Sequence, residues 1–595
     1  MQKMTASTTE FFINPYNFVD FSRQPVERKP RSEADDVLSG WLDCTLTVAQ
    51  DGMLALPDQT NAVPATDANG RPIKESKVCD FFKIDGKPVI TGSELRGCIR
   101  SVFEAVTSSC FSVINNDFLS ARKSRPDKTR TAGIAVFDPA HDCWLLYPAE
   151  KVTDGRADDT VKRVWEDFKK KNGKTSTSFY RKTSNNPVTQ LTDVQINNFV
   201  SVLEIYEENN PKFKSVYHAL LDRIEQEQPF VAFYEMRNSS LAYFSPAHTG
   251  RFSYENTVKS LLVEYAPCDG KDGCLCPACR LFGTLQGERA TASRLRFTDA
   301  LADSVVLSEK PVNLPELSAP KITSAEFYAL PPENYLQDIE IYGYDDDGVS
   351  LRGRKFYFHS KPRCLPQLGE RSVATTVAKG GSSFLFRVYF DRICDTELQQ
   401  LIWTLTLGEN TVNSKKLHKL GFGKPTGFGS VKILADRLTV RTVSGAGETL
   451  TYRLKETKPV VPQSADALFG AKNYSVEDLL AIADYDFLKG QKHPVTYPLA
   501  DNGKNDANSS AAHQWFIANR NTKGNFSYIL PTLQDSLKLP KMIAAQQPSY
   551  GGNQPRKLPD AQGPRCTCCG NAVSKNPKTG KWNRLCYDCF KKQKQ

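Results

Sequence analysis

From Trp41 the sequence LDCTLTVAQ alternates, with Leu42, Cys44, Leu46 and Val48 on one side and polar residues between them. A period of two marks a half-buried strand. A stretch bearing Gly, Pro and Asp follows, DGMLALPDQTNAVPATDANGRPIKES, with no period and too long for a simple turn. PVITGSELRGCIRSVFEAV then predicts a short apolar strand running through a turn into a helix. Thr91 and Glu94 stand at capping-box spacing, and Leu95, Ile99, Val102 and Val106 form the apolar stripe.

Residues 384–441 repeat the logic. FLFRVYF reads as a strand, and TELQQLIWTLTL reads as a helix turning Leu398, Leu401, Ile402 and Leu405 inward. The glycine loop LGFGKPTGFGS leads into another strand, VKILADRLTV. Strand, helix, glycine loop and strand make half of a ferredoxin-like unit, and the earlier strand, loop and helix supply the other half. The expected class is α+β. The pattern divides the chain into an N-terminal arm (1–40), a main domain (41–119 and 236–445), an insertion (120–235), a C-terminal extension (446–545), a linker (546–565) and a small terminal module (566–595).

No run approaches the roughly 20 apolar residues of a membrane-spanning helix, and MQKMTASTTEFFINPYNF has no export pattern, so the expected location is cytoplasmic. Lys plus Arg number 77 against 67 Asp plus Glu, a net charge of +10. That balance favours a polyanionic partner without specifying one. The cysteines are more specific. Of 16, nine fall in two clusters, at 268–279 and 566–589, and in a cytoplasmic chain such clusters read as metal ligands.

In CTCCGNAVSKNPKTGKWNRLCYDC, Cys566 and Cys569 form one C-x-x-C knuckle and Cys586 and Cys589 another. Four thiolates so spaced suit tetrahedral Zn²⁺, and a module this short has almost no core without it. Cys568 is an alternative ligand outside that register. The second cluster, CDGKDGCLCPACRLFG, offers Cys268, Cys274, Cys276 and Cys279 for a compact structural zinc site. The loop GFGKPTGFG lacks the G-x-x-x-x-G-K-[ST] of a nucleotide-binding P-loop. Its glycines would let backbone approach an anion, with Lys424 adding charge, although a tight strand connection explains it equally well. The helix start in TGSELRGCIRS suits phosphate, and Arg96 and Arg100 share a face at i and i+4.

Three pieces in order, ITGSELRGCIRSVFEA, CPACRLFG followed by RLRFTDA, and LGFGKPTGFGSVKI, resemble the RAMP superfamily, in particular the backbone subunits of type III-like CRISPR effectors. The resemblance spans roughly residues 40–440. It implies an RNA-recognition-like RAMP core whose sheet and glycine loop hold guide RNA (crRNA), packaged in a multisubunit antiviral ribonucleoprotein and presented to target RNA; the large insertion at 120–235 departs from the family, and the internal zinc-binding loop and C-terminal zinc ribbon are read from the cysteine spacing. By position, Ser93, Arg96, Arg100, Gly421, Gly423, Lys424, Gly427 and Phe428 would contact the guide backbone, without reading its sequence. The implied partners are crRNA, target RNA, further copies of the chain, other effector subunits and a separate nuclease, with no membrane. The alternative is an endoribonuclease acting on target RNA through a loop aspartate (Asp51, Asp58, Asp67 or Asp80) or on precursor guide RNA through His218, His248 or His418. No motif singles out one of these, so the catalytic residue is unknown and a scaffold is the expected role.

Overall fold

The computed structural model describes residues 10–543 apart from internal stretches, the longest being 31–37, 123–129, 167–174, 333–341 and 502–508. The chain divides into 1–544 and 545–595, and the terminal cysteines Cys566, Cys568, Cys569, Cys586 and Cys589 lie outside the described residues.

The elements that build the core are β1 (Leu38–Val48), β2 (Lys87–Ile90), α1 (Gly92–Val106), α2 (Pro277–Phe282), β3 (Leu295–Phe297), β4 (Ala300–Ser304), β5 (Ser383–Ile393), α3 (Asp395–Thr406), β6 (Ser430–Ser444) and β7 (Thr451–Thr457). Their seven strands belong to a nine-stranded sheet in which β6, β1, β5, β4 and β2 are successive neighbours, with β3 also on β5 and β7 on β6, completed by Lys83–Ile84 beside β2 and His418–Lys419 beside β6. Every one of these pairings is antiparallel. Within this set, β1, α1, β4, β5, α3 and β6 run strand, helix, strand, strand, helix, strand along the chain, and β6 lies beside β1.

The alternation along β1 works as its period requires: Leu42 and Leu46 are fully buried and Cys44 and Val48 nearly so. They face α1 and α3, which lie together on one side of the sheet. Leu95, Ile99 and Phe103 of α1 and Leu398, Leu401, Ile402 and Leu405 of α3 are buried there. Each such side chain contributes roughly 1.5–3 kcal/mol by leaving water. The Thr91 hydroxyl accepts from the Glu94 amide at 3.4 Å, capping α1. At the start of α3 the Glu397 carboxylate accepts from the Cys394 amide at 3.1 Å and from buried Arg294 at 2.9 Å.

Between α1 and α2 stands a second sheet of seven strands from Thr131 to Ser245. It has its own apolar centre around Ala135, Leu146, Phe199, Leu203 and Phe230. It runs ten residues past the insertion boundary expected at 235, because its last strand, Ser240–Ser245, is a hairpin partner of Phe230–Arg237.

The arm expected at the N-terminus is also built into the fold. Phe11–Ile13 pairs with Lys538–Pro540, and Tyr16–Val19 pairs with Arg354–Tyr357. Strands of three and four residues are too short to show a period, and their partners lie hundreds of residues away. The C-terminal extension adds the helix Tyr474–Ala483, whose Val476, Leu479 and Ile482 pack with Val102, Val106 and Trp403. Among the described residues no helix is long and apolar enough to cross a membrane.

Candidate nucleic-acid interface and cysteine centre

The two ends of α1 serve two different sites. At its start, Gly92 donates its amide to Asp299 at 2.7 Å, and the Glu94 amide goes to Thr91. The helix N-terminus expected to be open to phosphate is thus partly committed to the protein itself. Ser93 remains exposed, its hydroxyl 3.1 Å from that of Thr91.

Beside this end lies the glycine loop. Gly421, Gly423 and Gly427 hold φ of +79°, +77° and +93°, a region closed to most side chains. The loop is pinned from below: Phe422 donates to the Ala55 carbonyl at 2.9 Å and Gly429 to the Met53 carbonyl at 2.8 Å. A Cβ at Gly427 would collide with the Lys361 carbonyl oxygen. Lys419 donates to the Phe428 carbonyl at 3.0 Å. Its ammonium is enclosed, and burial, with Lys424 nearby, pushes its pKa down to about 7. Between loop and helix opens a recess of about 470 Å³ lined by Leu56, Pro57, Phe82, Thr91, Glu94 and Phe422, among others. Burial raises the Glu94 carboxyl pKa, against the lowering pull of Lys424 and the Gly421 amide.

Gly421 lines this recess, Ser93 lies on the helix start between Thr91 and Glu94 of its lining, and Lys424 is close enough to act on Glu94. Arg100 and Phe428 do not line it, and the expected guide contacts at these two side chains are corrected. Arg100 turns inward, donating to Glu104 at 2.8 Å and to the Gly283 carbonyl at 3.0 Å, with its side chain 11% exposed. Phe428 is fully buried with Ala55, Leu314 and Val377. Arg96 donates to the Phe282 carbonyl and lies over the Phe282 ring, its guanidinium 5.9 Å from the centroid.

At the other end of α1, four buried sulfurs converge. Cys110 Sγ lies 3.5 Å from Cys276 Sγ, 3.5 Å from Cys279 Sγ and 3.8 Å from Cys268 Sγ. All four lie within 4.8 Å of one another. A tetrahedron with metal–sulfur bonds of about 2.3 Å has sulfurs about 3.8 Å apart, so the spacing fits a metal ion. The S–H groups of Cys110, Cys268 and Cys279 hold the Cys276 thiol well below its ordinary range. The Cys276 amide donates to Cys268 Sγ at 3.3 Å, and Ser109 accepts from the Ala278 amide at 3.1 Å. The expected set is corrected in one member. Cys274 sits outside, on a short strand opposite Pro30, and Cys110 takes its place. Cys110 is a lone cysteine 158 residues before Cys268, so no spacing rule could have found it.

Beneath the sulfurs, Glu104 bridges Arg100 at 2.8 Å and Arg354 at 3.4 Å, all three side chains being 7–11% exposed. This buried ionic group was also hidden in the sequence.

Three of the four candidate aspartates and all three candidate histidines have partners within the protein. Asp58 accepts from Thr60 and Asn61, Asp67 from Asn69 and Arg71, and Asp80 from Lys83 and Thr376. His418 is buried, its pKa pushed down to about 4 by that burial, with Nε2 2.9 Å from the Leu405 carbonyl. His218 pairs with Glu207 at 3.1 Å, and His248 Nε2 lies 3.2 Å from the Arg130 carbonyl.

The sequence model of the RAMP superfamily matches residues 68–432. No curated protein matches the chain. Among solved structures, Csc2 from Thermofilum pendens aligns at 11% identity, covering 68% of this chain and 67% of its own, with a TM-score of 0.21. A chain of a type IV-B CRISPR complex aligns at 13% identity, covering 69% and 95%, also at 0.21.

Proposed function

The chain belongs to the RAMP superfamily, and on that premise we propose that it is a backbone subunit of a multisubunit CRISPR effector that carries guide RNA. The observation that supports this reading best is the recess between the start of α1 and the glycine loop, lined by Thr91, Glu94 and Gly421, with Ser93 exposed on the helix start, Lys424 close enough to act on Glu94 and Lys419 enclosed nearby. Backbone and ammonium groups so placed grip phosphates whatever the base, as a carrier of many guides requires. The order of β6, β1, β5 and β3–β4, with α1 and α3 on one face, favours a ferredoxin-like, RNA-recognition-like core.

Cys110, Cys268, Cys276 and Cys279 would hold Zn²⁺, whose chemistry there is structural because four thiolates leave no open position. Such a centre ties the end of α1 to the 268–279 loop. The ribbon at 566–589 would hold a second ion. Target RNA, further copies of the chain, other effector subunits and a separate nuclease are the partners this role implies in the cytoplasm. Intrinsic cleavage is not part of the reading, since no motif singles out a catalytic aspartate or histidine.

Sequencing the RNA that co-purifies with the chain, expressed together with a CRISPR array, tests the proposal. Guides of defined length with many different spacers are expected. Absence of bound RNA, or cellular RNA without array sequences, would refute it.

A further inference from the structure

The recess beside the glycine loop has walls made mostly of carbon. Leu56, Pro57, Phe82, Val89 of β2 and Phe422 line it, and among the described residues Glu94 is the one ionisable group in that lining. The walls are held by the backbone. Phe82 donates to the Leu56 carbonyl at 2.7 Å, and Val89 donates to the Phe82 carbonyl at 3.2 Å. Leu56 and Val89 are themselves buried, so the cavity keeps its shape without a ligand. At about 470 Å³ it falls within the roughly 300–1,000 Å³ of sites that enclose small ring systems. Glu94 is half-buried and forms no ion pair among the described residues. The Gly421 amide and Lys424 favour its charged form against the pull of burial. An ionised carboxylate only accepts hydrogen bonds, so this one asks for N–H or O–H donors.

Resting on the reading of the chain as an RNA carrier, we propose that this recess takes one nucleobase swung out of the bound strand, and that Glu94 makes guanine the preferred base. A phosphate is refused there, because the carboxylate repels it and the carbon walls cannot solvate it. A flat ring fits the same walls, and its edge supplies the donors that Glu94 needs. Among the four bases only guanine sets two donors side by side, N1–H and the N2 amino group, to match the two oxygens of a carboxylate. Adenine and cytosine place a bare ring nitrogen beside the amino group, and uracil flanks its one N–H with two carbonyls, so each of these turns an acceptor towards Glu94. A chain resting over another base keeps its phosphate contacts and leaves the recess empty. The guanine therefore sets where the chain comes to rest along the strand, while guides of any sequence still bind.

The test is equilibrium binding of the full chain to fluorescent oligouridylates of one length, unbroken or carrying one central guanosine, inosine, adenosine or cytidine. The guanosine strand is expected to bind at least about fivefold tighter than the unbroken one, the lower end of what a two-point base contact discriminates. Inosine, which lacks the N2 amino group, should fall between them. In Glu94→Gln the ratio of guanosine to uridine affinity should return towards one. With 6-thioguanosine in the central place, ultraviolet crosslinks are expected on the peptides carrying Phe82 or Phe422. Equal affinity of the parent for every strand, a ratio unchanged in Glu94→Gln, or crosslinks confined to other peptides would overturn the proposal and leave the carrier reading standing. Binding to none of the strands would overturn both. A Glu94→Gln variant that alters self-association with the ratio intact would assign the recess to a protein side chain, which also overturns it.

Discussion

The guanidinium of Arg100 comes within 3.9 Å of Cys279 Sγ while its Nε holds Glu104 at 2.8 Å. A residue whose spacing on the helix suggested a grip on RNA thus supports the cysteine centre instead. It sits between a sulfur cluster that becomes anionic on binding a metal and a carboxylate that needs neutralising. Removing it should leave Glu104 with Arg354 alone in a buried setting.

Arg100→Ala is therefore expected to cost about 3 kcal/mol of stability, in the range for breaking a buried ion pair. Chemical denaturation should show the loss. The salt dependence of RNA binding should stay as in the parent, since no phosphate contact is removed. A reduced slope with undiminished stability would return Arg100 to the groove.

Metal content separates Cys110 from Cys274. Elemental analysis of the full chain should give about two zinc per molecule, one from each four-thiolate set. Cys110→Ser and Cys276→Ser should each lower it by about one, and Cys274→Ser should leave it unchanged. Loss in Cys274→Ser with retention in Cys110→Ser would reverse the assignment.

If the chain carries RNA as proposed, Lys419 should make that binding sensitive to pH. Its folded pKa near 7 lies below the unfolded value of about 10.4. Between those values the unfolded chain holds more protons, so stability without RNA should rise with pH across that window. A phosphate above the loop favours the charged ammonium, so binding takes up a proton. Affinity should therefore fall as pH rises above 7, by at most about tenfold per unit. Lys419→Met should flatten the profile. An equally steep profile in that variant would place the titrating group elsewhere.

At Gly427 the obstacle is steric. With φ at +93° and the Lys361 carbonyl oxygen in the way, Gly427→Val should cost roughly 1–3 kcal/mol of local strain. It should weaken RNA binding without changing the salt slope, because no charge is lost. Binding titrations at several salt concentrations distinguish this from a charge effect.

What could be read from the sequence was whatever repeats within a few residues. The alternation from Leu42 to Val48, the stripe from Leu95 to Val106 and the inward leucines of 395–406 each carry their own period, and all are buried as their periods require. The glycines of 421–427 were legible because only that residue sits easily at positive φ. What escaped depends on pairings between distant segments. Cys110 joins the sulfur cluster across 158 residues, and Arg100 points where it does because the 282–283 backbone folds against α1. Arg96 and Arg100 do share a helix face, as their spacing required. The sequence carries no local mark of which face meets protein and which meets solvent.

The strand at Phe11–Ile13 has consequences for how the molecule is made. Its partner, Lys538–Pro540, is among the last described segments to leave the ribosome, more than 500 residues later. At 5–20 residues per second, that is a wait of roughly half a minute to two minutes. For that time Phe12, fully buried in the finished protein, has neither Leu539 nor Trp515 to cover it. Until then the strand around Phe12 lacks part of its apolar cover, which makes these residues a natural resting place for a chaperone. The clasp closes only once Lys538–Pro540 has been made, so a chain cut short before 538 would leave Phe11–Ile13 without its strand partner.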